Sequence, residues 1–285
     1  MPNFCHLAPT PHLNDFCQGR PTHLLLAHLV EEDEQYREWH KKEKERNPTT
    51  VFILDNSGFE MYKRNLPMFP SEKLVDLGKE VSADYIVMSD YPGQSSSVTI
   101  ESAEKLGPIF KKQGFGTFYC PQSQVGDIPD LIGGFAWGFA SELVDYIGVS
   151  ILAIPNAYGV EKNNKLQRFL ARWHFLNSSD VRWEFVDNLD AWTPKKIHLL
   201  GMVDGPNEIH LLQDWLPYID SWDSSAAVWA GLNGIEFDNS PSGLVNGKFE
   251  KEVDFSTHVT DQSLIAKAHR NIDLIDSMLL VNGML

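Results

Sequence analysis

Short apolar runs alternate along the chain with longer stretches in which apolar residues recur at helical spacing or charges predominate. Apolar runs of this length, bounded by turn residues, are typical of buried strands, and the stretches between them are typical of helices. The strands that this pattern predicts are residues 23–30, 51–55, 85–89, 115–120, 146–152, 181–186, 196–202 and 216–222. A last helix is predicted at about 261–280, where Leu264, Ile272 and Leu279 fall on one face.

This alternation predicts a (β/α)8 barrel of the TIM type, and the length of 285 residues is near the usual length for that fold. Neither an internal repeat nor a low-complexity linker divides the sequence. We therefore expect a single domain, 1–285, with the last helix packed on the barrel. The interval between the predicted strands 181–186 and 196–202 is too short for a full helix, so one crossover should be irregular. A doubly wound open sheet is the alternative fold.

Composition narrows the class of protein. Apolar residues make up 42% of the chain, as in a globular protein. The N-terminus lacks the basic and apolar regions of an export signal, and no apolar run is long enough to span a bilayer, so we expect a cytoplasmic protein without a membrane partner. The three cysteines are too widely spaced for a disulfide framework or a Cys-x-x-Cys site, so we expect neither metal nor cofactor.

The formal net charge of −15 opposes binding to polyanions in general, although a local basic patch is enough to hold a phosphate backbone. The cleanest basic patch is a stripe in the predicted helix 161–176, formed by Lys162, Lys165, Arg168 and Arg172. Such clusters are more often a solvated helix face, so both interpretations stay open. The acidic balance also allows a protein partner or a homo-oligomer.

Polar side chains suited to catalysis follow the predicted strands where those strands end. They are Asp55, Asp90, Gln122, Ser150, Asp204 and Asp223. The carboxyl ends of barrel strands meet at one mouth, so these side chains should lie together. Clustered carboxylates raise one another's pKa and are costly unless function requires them. Chance placement in an acidic protein is the alternative.

Asp223 stands apart from the others because small residues, Ser224 to Ala227, follow it. A carboxylate with little bulk around it can approach a substrate carbon closely, as covalent catalysis requires. The alternative is that Asp223 caps a helix that begins at Ser224. Two carboxylates in one pocket suit a double displacement, in which one attacks and the other moves protons. An Asp with a Gln suits recognition of a nucleobase edge, and Phe59 could stack on the base or pack in the core.

Three segments resemble motifs of the tRNA-guanine transglycosylase superfamily. The run Val51-Phe-Ile-Leu-Asp55-Asn-Ser-Gly58-Phe59-Glu60 is similar to its Asp-Ser-Gly-Gly-Phe-Gln motif. The segment Ile-Asp-Ser-Trp-Asp223, with Leu-Asn233-Gly234 after it, resembles the Phe-Asp nucleophile motif and the Arg-Asn-Gly that follows. Leu199-Leu200-Gly201-Met202-Val203 resembles the Leu-Met-Gly-Val-Gly element. The segments occur in the family's order, and the family fold is a barrel.

The resemblance implies a role for each matching residue. Asp223 would be the nucleophile that attacks the anomeric carbon of a guanosine-type nucleotide and expels guanine. Asp55 would be the general acid/base that deprotonates the incoming base. Phe59 and Leu200 would sandwich the base ring. The full set of implied substrate-binding residues is Asp90, Gln122, Phe59, Ser150, Leu200 and Asn56.

The departures from the family pattern change the expected substrate. No cysteine follows Asp223, so the family's zinc-binding subdomain is missing, and Val228-Trp229 stands where an arginine is expected. These elements help to hold the anticodon arm, which makes tRNA the less expected polymer. The chain is more similar to the phage and bacterial branch that exchanges guanine in DNA for a preformed 7-deazaguanine, such as 7-cyano-7-deazaguanine. In that case we expect the protein in the cytoplasm, or in the host cytoplasm for a phage protein. The DNA backbone beside the flipped guanine would contact the basic stripe.

Three alternatives to a DNA-guanine transglycosylase remain open. Water in place of the incoming base would make the chain an N-glycoside hydrolase. An ordinary tRNA-guanine transglycosylase is the second alternative. A non-catalytic nucleic-acid-binding subunit with a degenerate barrel is the third, although a scaffold has no need to keep Asp55, Asp90, Gln122 and Asp223 together.

Overall fold

A computed structural model describes residues 2–182, 195–202, 205–237 and 253–282. Its eight strands are all parallel and form one sheet in the order β1-β8-β7-β6-β5-β4-β3-β2. The two strands at the ends of that order also lie in contact, so the sheet is a nearly closed barrel. The strands are β1 (Asn3–His6), β2 (Thr22–Leu26), β3 (Val51–Asp55), β4 (Tyr85–Val87), β5 (Gly116–Tyr119), β6 (Tyr146–Ser150), β7 (Lys196–Leu200) and β8 (Ser221–Ser224).

Helices alternate with these strands, which confirms the predicted (β/α)8 barrel. Short 3-10 turns occur at Thr10–His12 and Gln213–Tyr218. The α-helices are α1 (Leu13–Phe16), α2 (Ala27–Glu32), α3 (Glu34–Arg46), α4 (Gly58–Arg64), α5 (Ser71–Glu80), α6 (Ser96–Lys112), α7 (Ile128–Ala140), α8 (Ala153–Ala157), α9 (Lys165–Leu176), α10 (Ser179–Arg182), α11 (Asn207–Leu211), α12 (Ala226–Leu232) and α13 (Gln262–Asn282).

The continuous apolar runs follow from burial of both strand faces. In β3, Ile53 points into the barrel, whereas its neighbours Phe52 and Leu54 pack outward against the helices. Parallel sheets covered in this way need apolar residues at successive positions rather than at alternate ones. The interior is filled by one cluster, formed by Cys5, Leu24, Ile53, Val87, Phe118, Cys120 and Tyr146.

The amino ends of the strands are closed by a polar and aromatic floor. Lys196 Nζ donates to the Tyr85 hydroxyl at 2.9 Å and lies 5.0 Å and 5.4 Å from the ring centroids of Tyr85 and Tyr146. The lysine stem and the Tyr85 ring fill the amino end of the barrel, next to the apolar cluster to which the Tyr146 ring belongs. The end of the barrel that remains for chemistry is therefore the carboxyl end, as in other TIM barrels.

The predicted strand 181–186 is wrong in its first residues, because Val181 and Arg182 lie in α10; residues 183–186 lie outside the described ranges. An alternating apolar run is ambiguous at this length, and Ser179 with Asp180 provides a helix start. The sequence interpretation also missed β1, a strand of four residues. Among the described residues the sheet has eight strands, and β1 is the one that the sequence did not predict.

Two of the predicted strands differ most from the observed bounds. The run 23–30 is a strand only to Leu26, and Ala27–Glu32 forms α2, because an apolar run does not distinguish a buried strand from a buried helix. The predicted strand 216–222 begins only at Ser221, since Gln213–Tyr218 forms a 3-10 turn around Pro217. Proline has no N–H to donate to a strand ladder, which delays the strand.

The predicted last helix is confirmed as α13, which packs against α12. The contact is close: a Cβ on Gly231 would lie 2.2 Å from the Ala268 Cα, so only glycine fits. Within the described ranges, no helix combines the length and the apolar character needed to cross a membrane.

Candidate active site

Asp223 lies at the carboxyl end of β8 with one of its two carboxylate oxygens fixed. Oδ1 is 3.0 Å from His198 Nε2, within hydrogen-bond distance, and it accepts from the backbone N–H of Gly201 at 3.0 Å. No described residue donates to Oδ2. The helix-cap alternative is wrong, because α12 begins at Ala226 and none of its N-terminal N–H groups donates to Asp223. Asp223 is therefore held through one oxygen and presents the other.

Gly201, which donates to Asp223, is itself tied down on its carbonyl side. Its oxygen accepts from Trp222 Nε1 at 2.7 Å and from Arg172 Nη2 at 2.8 Å. Its φ of 72° is a left-handed conformation that glycine adopts without strain. The guanidinium of Arg172 also donates to the carbonyls of Val149 and Leu200, so one side chain links the ends of β6 and β7 beside Asp223.

Asp55 ends β3 and is followed by a strained turn. Asp55 Oδ2 accepts from the backbone nitrogen of Ser57 at 2.9 Å, and Ser57 has a φ of 55°, which is unusual for a residue with a side chain. The Ser57 hydroxyl lies 3.1 Å from the backbone nitrogen of His28 and 2.9 Å from His28 Nδ1. Strain of this kind is often retained at functional sites, where the surroundings hold it in place.

Asp90, Gln122 and Asn56 form a buried hydrogen-bonded group next to Asp55. Asn56 Nδ2 donates to Asp90 Oδ1 at 2.9 Å, and Gln122 Nε2 donates to Asp90 Oδ2. Gly58 packs against this group so closely that a Cβ there would lie 2.7 Å from Asp90 Oδ1. The three side chains that the resemblance assigns to base binding are thus brought together.

The carboxylates at this mouth influence one another. Burial raises the pKa of Asp55 well above its usual value, and the charges of Glu60, Asp90 and Asp223 raise it further, against the opposing Ser57 N–H. Burial also raises the pKa of Glu60, with a smaller contribution from Asp223. The pKa of Asp90 is raised by burial, although the amides of Asn56 and Gln122 oppose the shift. Asp55 is the group that responds to all three other carboxylates.

The remaining residues assigned to base binding differ in whether their side chains can meet a ligand. Phe59 is 47% exposed at the start of α4, so it is not in the core and can meet a ligand. Leu200 packs on the interior cluster of the barrel. The Ser150 hydroxyl accepts from the backbone nitrogens of Leu152 and Ala153, so it secures the turn into α8. Asp204, the other polar residue predicted at a strand end, lies outside the described ranges.

The predicted basic stripe is wrong at Arg172. Its side chain is 1% exposed and forms an ion pair with Glu208, so it cannot meet a phosphate backbone from solvent. Arg168 is only partly exposed, and burial lowers its pKa, whereas Lys162 is exposed. The side chain of Lys165 lies outside the described part of the structure. Helical spacing alone does not reveal which side of α9 faces the barrel.

Sequence reasoning missed three contributors to the site: His198, Glu60 and Glu208. His198 occupies an inward-facing position in the middle of β7, and the sequence interpretation gave it no role. A polar residue at alternate spacing from Lys196 and Leu200 was the available signal. Glu60 belongs to the motif that contains Asp55 and was left without a role. Glu208 gave no sequence signal, because its partner lies on a distant helix.

In the described ranges, no group of three or more His, Cys, Asp or Glu side chains is arranged to hold a metal ion. No protein-family model matches the chain, and no curated protein matches it.

Proposed function

We propose that this chain is a base-exchange transglycosylase that replaces guanine in DNA with a preformed 7-deazaguanine through a covalent aspartyl-glycosyl intermediate. The observation that carries the proposal is the position of Asp223 and Asp55 at the carboxyl ends of β8 and β3, at one barrel mouth, where the charge of Asp223 raises the pKa of Asp55. Asp223 is held through Oδ1 by two donors, and Asp55 has a raised pKa. Two carboxyl groups in such different environments suit a nucleophile and a proton carrier.

In the first step Asp223 Oδ2 attacks C1′ of the deoxyguanosine. The C1′–N9 bond breaks, and its electron pair passes to the purine. Asp55, whose raised pKa favours the protonated form, gives its proton to the departing guanine. The products are neutral guanine, an Asp55 carboxylate and a glycosyl ester on Asp223.

In the second step the 7-deazaguanine replaces the ester. Its ring N–H gives a proton to the Asp55 carboxylate, the nitrogen forms a bond to C1′, and the C1′–Oδ2 bond breaks. Asp223 leaves as a carboxylate, and Asp55 is protonated again. Attack on alternate faces restores the original configuration at C1′, as expected for a double displacement.

Asp90 and its partners support selection of a guanine-like base. A carboxylate has about four acceptor sites, and the amides of Asn56 and Gln122 use two of them. The remaining sites can accept the N1–H and the amino group of guanine. Adenine presents an acceptor at N1, which would face a carboxylate and leave a buried polar group without a partner. Asp90 thereby favours guanine and 7-deazaguanine over adenine.

DNA is favoured over tRNA because Val228 and Trp229 stand where the resemblance places an arginine that helps to hold the anticodon arm. A guanine in a duplex must be flipped out of the stack to reach the mouth. The exposed side of α4 is suited to the neighbouring nucleotides, because Phe59 and Tyr62 are 47% and 63% exposed. Lys63 and Arg64 follow on the same helix, and Arg64 pairs with Glu32 at 3.6 Å. Aromatic faces beside cationic side chains suit stacking and backbone contacts with a nucleic acid.

Exchange of radiolabelled guanine tests the proposal, with double-stranded DNA, single-stranded DNA and tRNA as separate acceptors. We expect label in DNA with the wild type, and none with Asp223→Ala or Asp55→Ala. Asp76→Asn, which changes an exposed carboxylate on α5, is the matched control and should exchange normally. Label in tRNA alone would move the assignment to tRNA modification. Release of guanine without incorporation would indicate a hydrolase, and no reaction with any acceptor would refute the proposal.

A further inference from the structure

His198 lies beneath Asp223 at the centre of a buried hydrogen-bond chain. Its side chain is 0% exposed, and its Nε2 is 3.0 Å from Asp223 Oδ1. Its Nδ1 is 2.7 Å from the Ser221 hydroxyl, which lies 3.2 Å from the hydroxyl of Tyr146. Both ring nitrogens are therefore occupied, one by the proposed nucleophile and the other by a hydroxyl pair deeper in the barrel.

The sequence of partners in this hydrogen-bond chain determines which ring nitrogen of His198 carries the proton. An ionised carboxylate only accepts, so Nε2 donates to Asp223. The Nδ1 of a neutral ring then accepts from Ser221, whose hydroxyl lies 3.2 Å from that of Tyr146. His198 and Ser221 are paired across β7 and β8, so the strand register fixes this contact. The partner of one nitrogen thereby sets the tautomer at the other.

We propose that His198 is a positioning residue for Asp223, an inference that rests on the proposed transglycosylase function. The His198 Nε2–H and the Gly201 N–H hold Oδ1 in place and direct Oδ2 toward the sugar. The same two donors stabilise the negative charge that returns to the carboxylate when the ester breaks. His198 does not touch the substrate, and its effect on the reaction passes through Asp223.

The surroundings of the ring support a fixed orientation. The Phe118 ring meets His198 edge to face, with the centroids 5.5 Å apart. The Tyr146 ring lies 6.4 Å away on the neighbouring strand. A side chain enclosed by rings and bonded at both nitrogens has little rotational freedom, so it can hold Asp223 without losing entropy at each turnover.

Kinetic comparison of two variants tests the role. His198→Gln keeps a side-chain N–H, whereas His198→Leu removes the donor and keeps the volume similar. We expect His198→Leu to lower kcat for exchange by about 10²–10³, the usual effect of losing one positioned donor, with KM for the base unchanged. His198→Gln should recover most of that loss. His210→Gln, at an exposed position on α11, is the control. Equal kcat values for His198→Leu and the wild type would overturn the proposal.

Nitrogen-15 NMR of the histidine rings provides a readout that needs no activity. We expect an Nε2–H tautomer for His198, with a proton resonance that moves when Asp223 is replaced by Ala. Ser221→Ala should shift the ring resonances without abolishing this contact. An Nδ1–H tautomer, or a ring signal insensitive to Asp223→Ala, would overturn the proposal. Wild-type protein without exchange but with the expected NMR result would refute the transglycosylase function and leave the positioning contact supported.

Discussion

Arg172 and Glu208 form a buried ion pair, with each side chain 1% exposed and 2.7 Å between Arg172 Nη2 and Glu208 Oε1. The guanidinium also donates to carbonyls at the ends of β6 and β7, including that of Gly201. Gly201 donates to Asp223. The ion pair therefore supports the backbone that holds the proposed nucleophile.

Removal of one partner of this pair should be strongly destabilising. Arg172→Met leaves the Glu208 carboxylate buried without its cation, which typically costs about 3–5 kcal/mol of unfolding free energy. The double variant Arg172→Met with Glu208→Leu should recover much of that loss. Urea unfolding measures the free energy of unfolding of the single and the double variant. Replacement of exposed Arg270, which pairs with Glu236 at the surface, is the control and should change little. An Arg172→Met protein as stable as the wild type would contradict this role.

Gly58→Ala should impair binding of the base while leaving the fold intact. The new Cβ would lie 2.7 Å from Asp90 Oδ1 and 2.8 Å from Asn56 Oδ1, so these side chains must move. A displacement of this size can lower kcat/KM by as much as about 10²-fold. Gly133→Ala is the matched control, because the added Cβ would meet nothing within 4 Å apart from its chain neighbours and its own helix backbone. It should leave exchange unchanged and stabilise α7 by about 0.5–1 kcal/mol. Equal kinetics for the two variants would count against the base site.

Asp55→Asn should abolish exchange and stabilise the protein at neutral pH. The folded-state pKa of Asp55 is raised, so the folded protein binds more protons than the unfolded chain above the unfolded value, which is near 3.9. The contribution of Asp55 to the free energy of unfolding therefore falls as the pH rises from the unfolded pKa toward the raised folded pKa. Urea midpoints of the variant and the wild type should agree near pH 4 and separate by pH 7, with the Asn variant higher. A lower midpoint for the variant at pH 7 would refute this assignment.

The buried histidines His23 and His40 should make the protein less stable as the pH decreases, which is opposite to the effect of Asp55. Burial lowers the pKa of His23 to about 4 and that of His40 to about 3, so both stay neutral in the folded protein. Between these values and about 6.5 the unfolded chain binds more protons, and stability falls as pH decreases. Each histidine contributes a slope of about 1.4 kcal/mol per pH unit in its window.

His40→Phe should flatten this dependence, because the ring lies among Tyr36, Trp39 and Phe52 and an apolar ring can take its place. Unfolding measured between pH 4 and 7 gives the slope for each variant. His210→Gln changes an exposed histidine and should leave the slope as in the wild type. A slope for His40→Phe as steep as that of the wild type would show that His40 does not remain neutral.

The sequence predicted the barrel and its carboxyl-end carboxylates because both depend on local pattern. Val51–Asp55 is an apolar strand with a carboxylate directly at its end, and this arrangement is visible in consecutive residues. β1 was missed because it has four residues and is stabilised by pairing with β8 at the other end of the chain. Such long-range pairing leaves no periodic signal in a short segment.

The errors at the site have the same origin. The spacing of Arg168 and Arg172 indicates a basic helix face, but only the fold shows that α9 turns Arg172 toward Glu208. His198 was overlooked because its importance depends on the register of β7 with β8, which places it beneath Asp223. Residues whose roles arise from contacts between distant segments could not be assigned from local sequence.

The covalent intermediate is the central claim, and its direct test is adduct mapping. Wild-type protein is incubated with an end-labelled guanine-containing DNA oligonucleotide in the absence of incoming base, quenched in acid, separated on a denaturing gel and digested for mass spectrometry. We expect a covalent protein–DNA species with the modification on Asp223, present with Asp76→Asn and absent with Asp223→Ala. Base exchange without any adduct, or an adduct on Asp55 or Glu60 instead, would contradict the account.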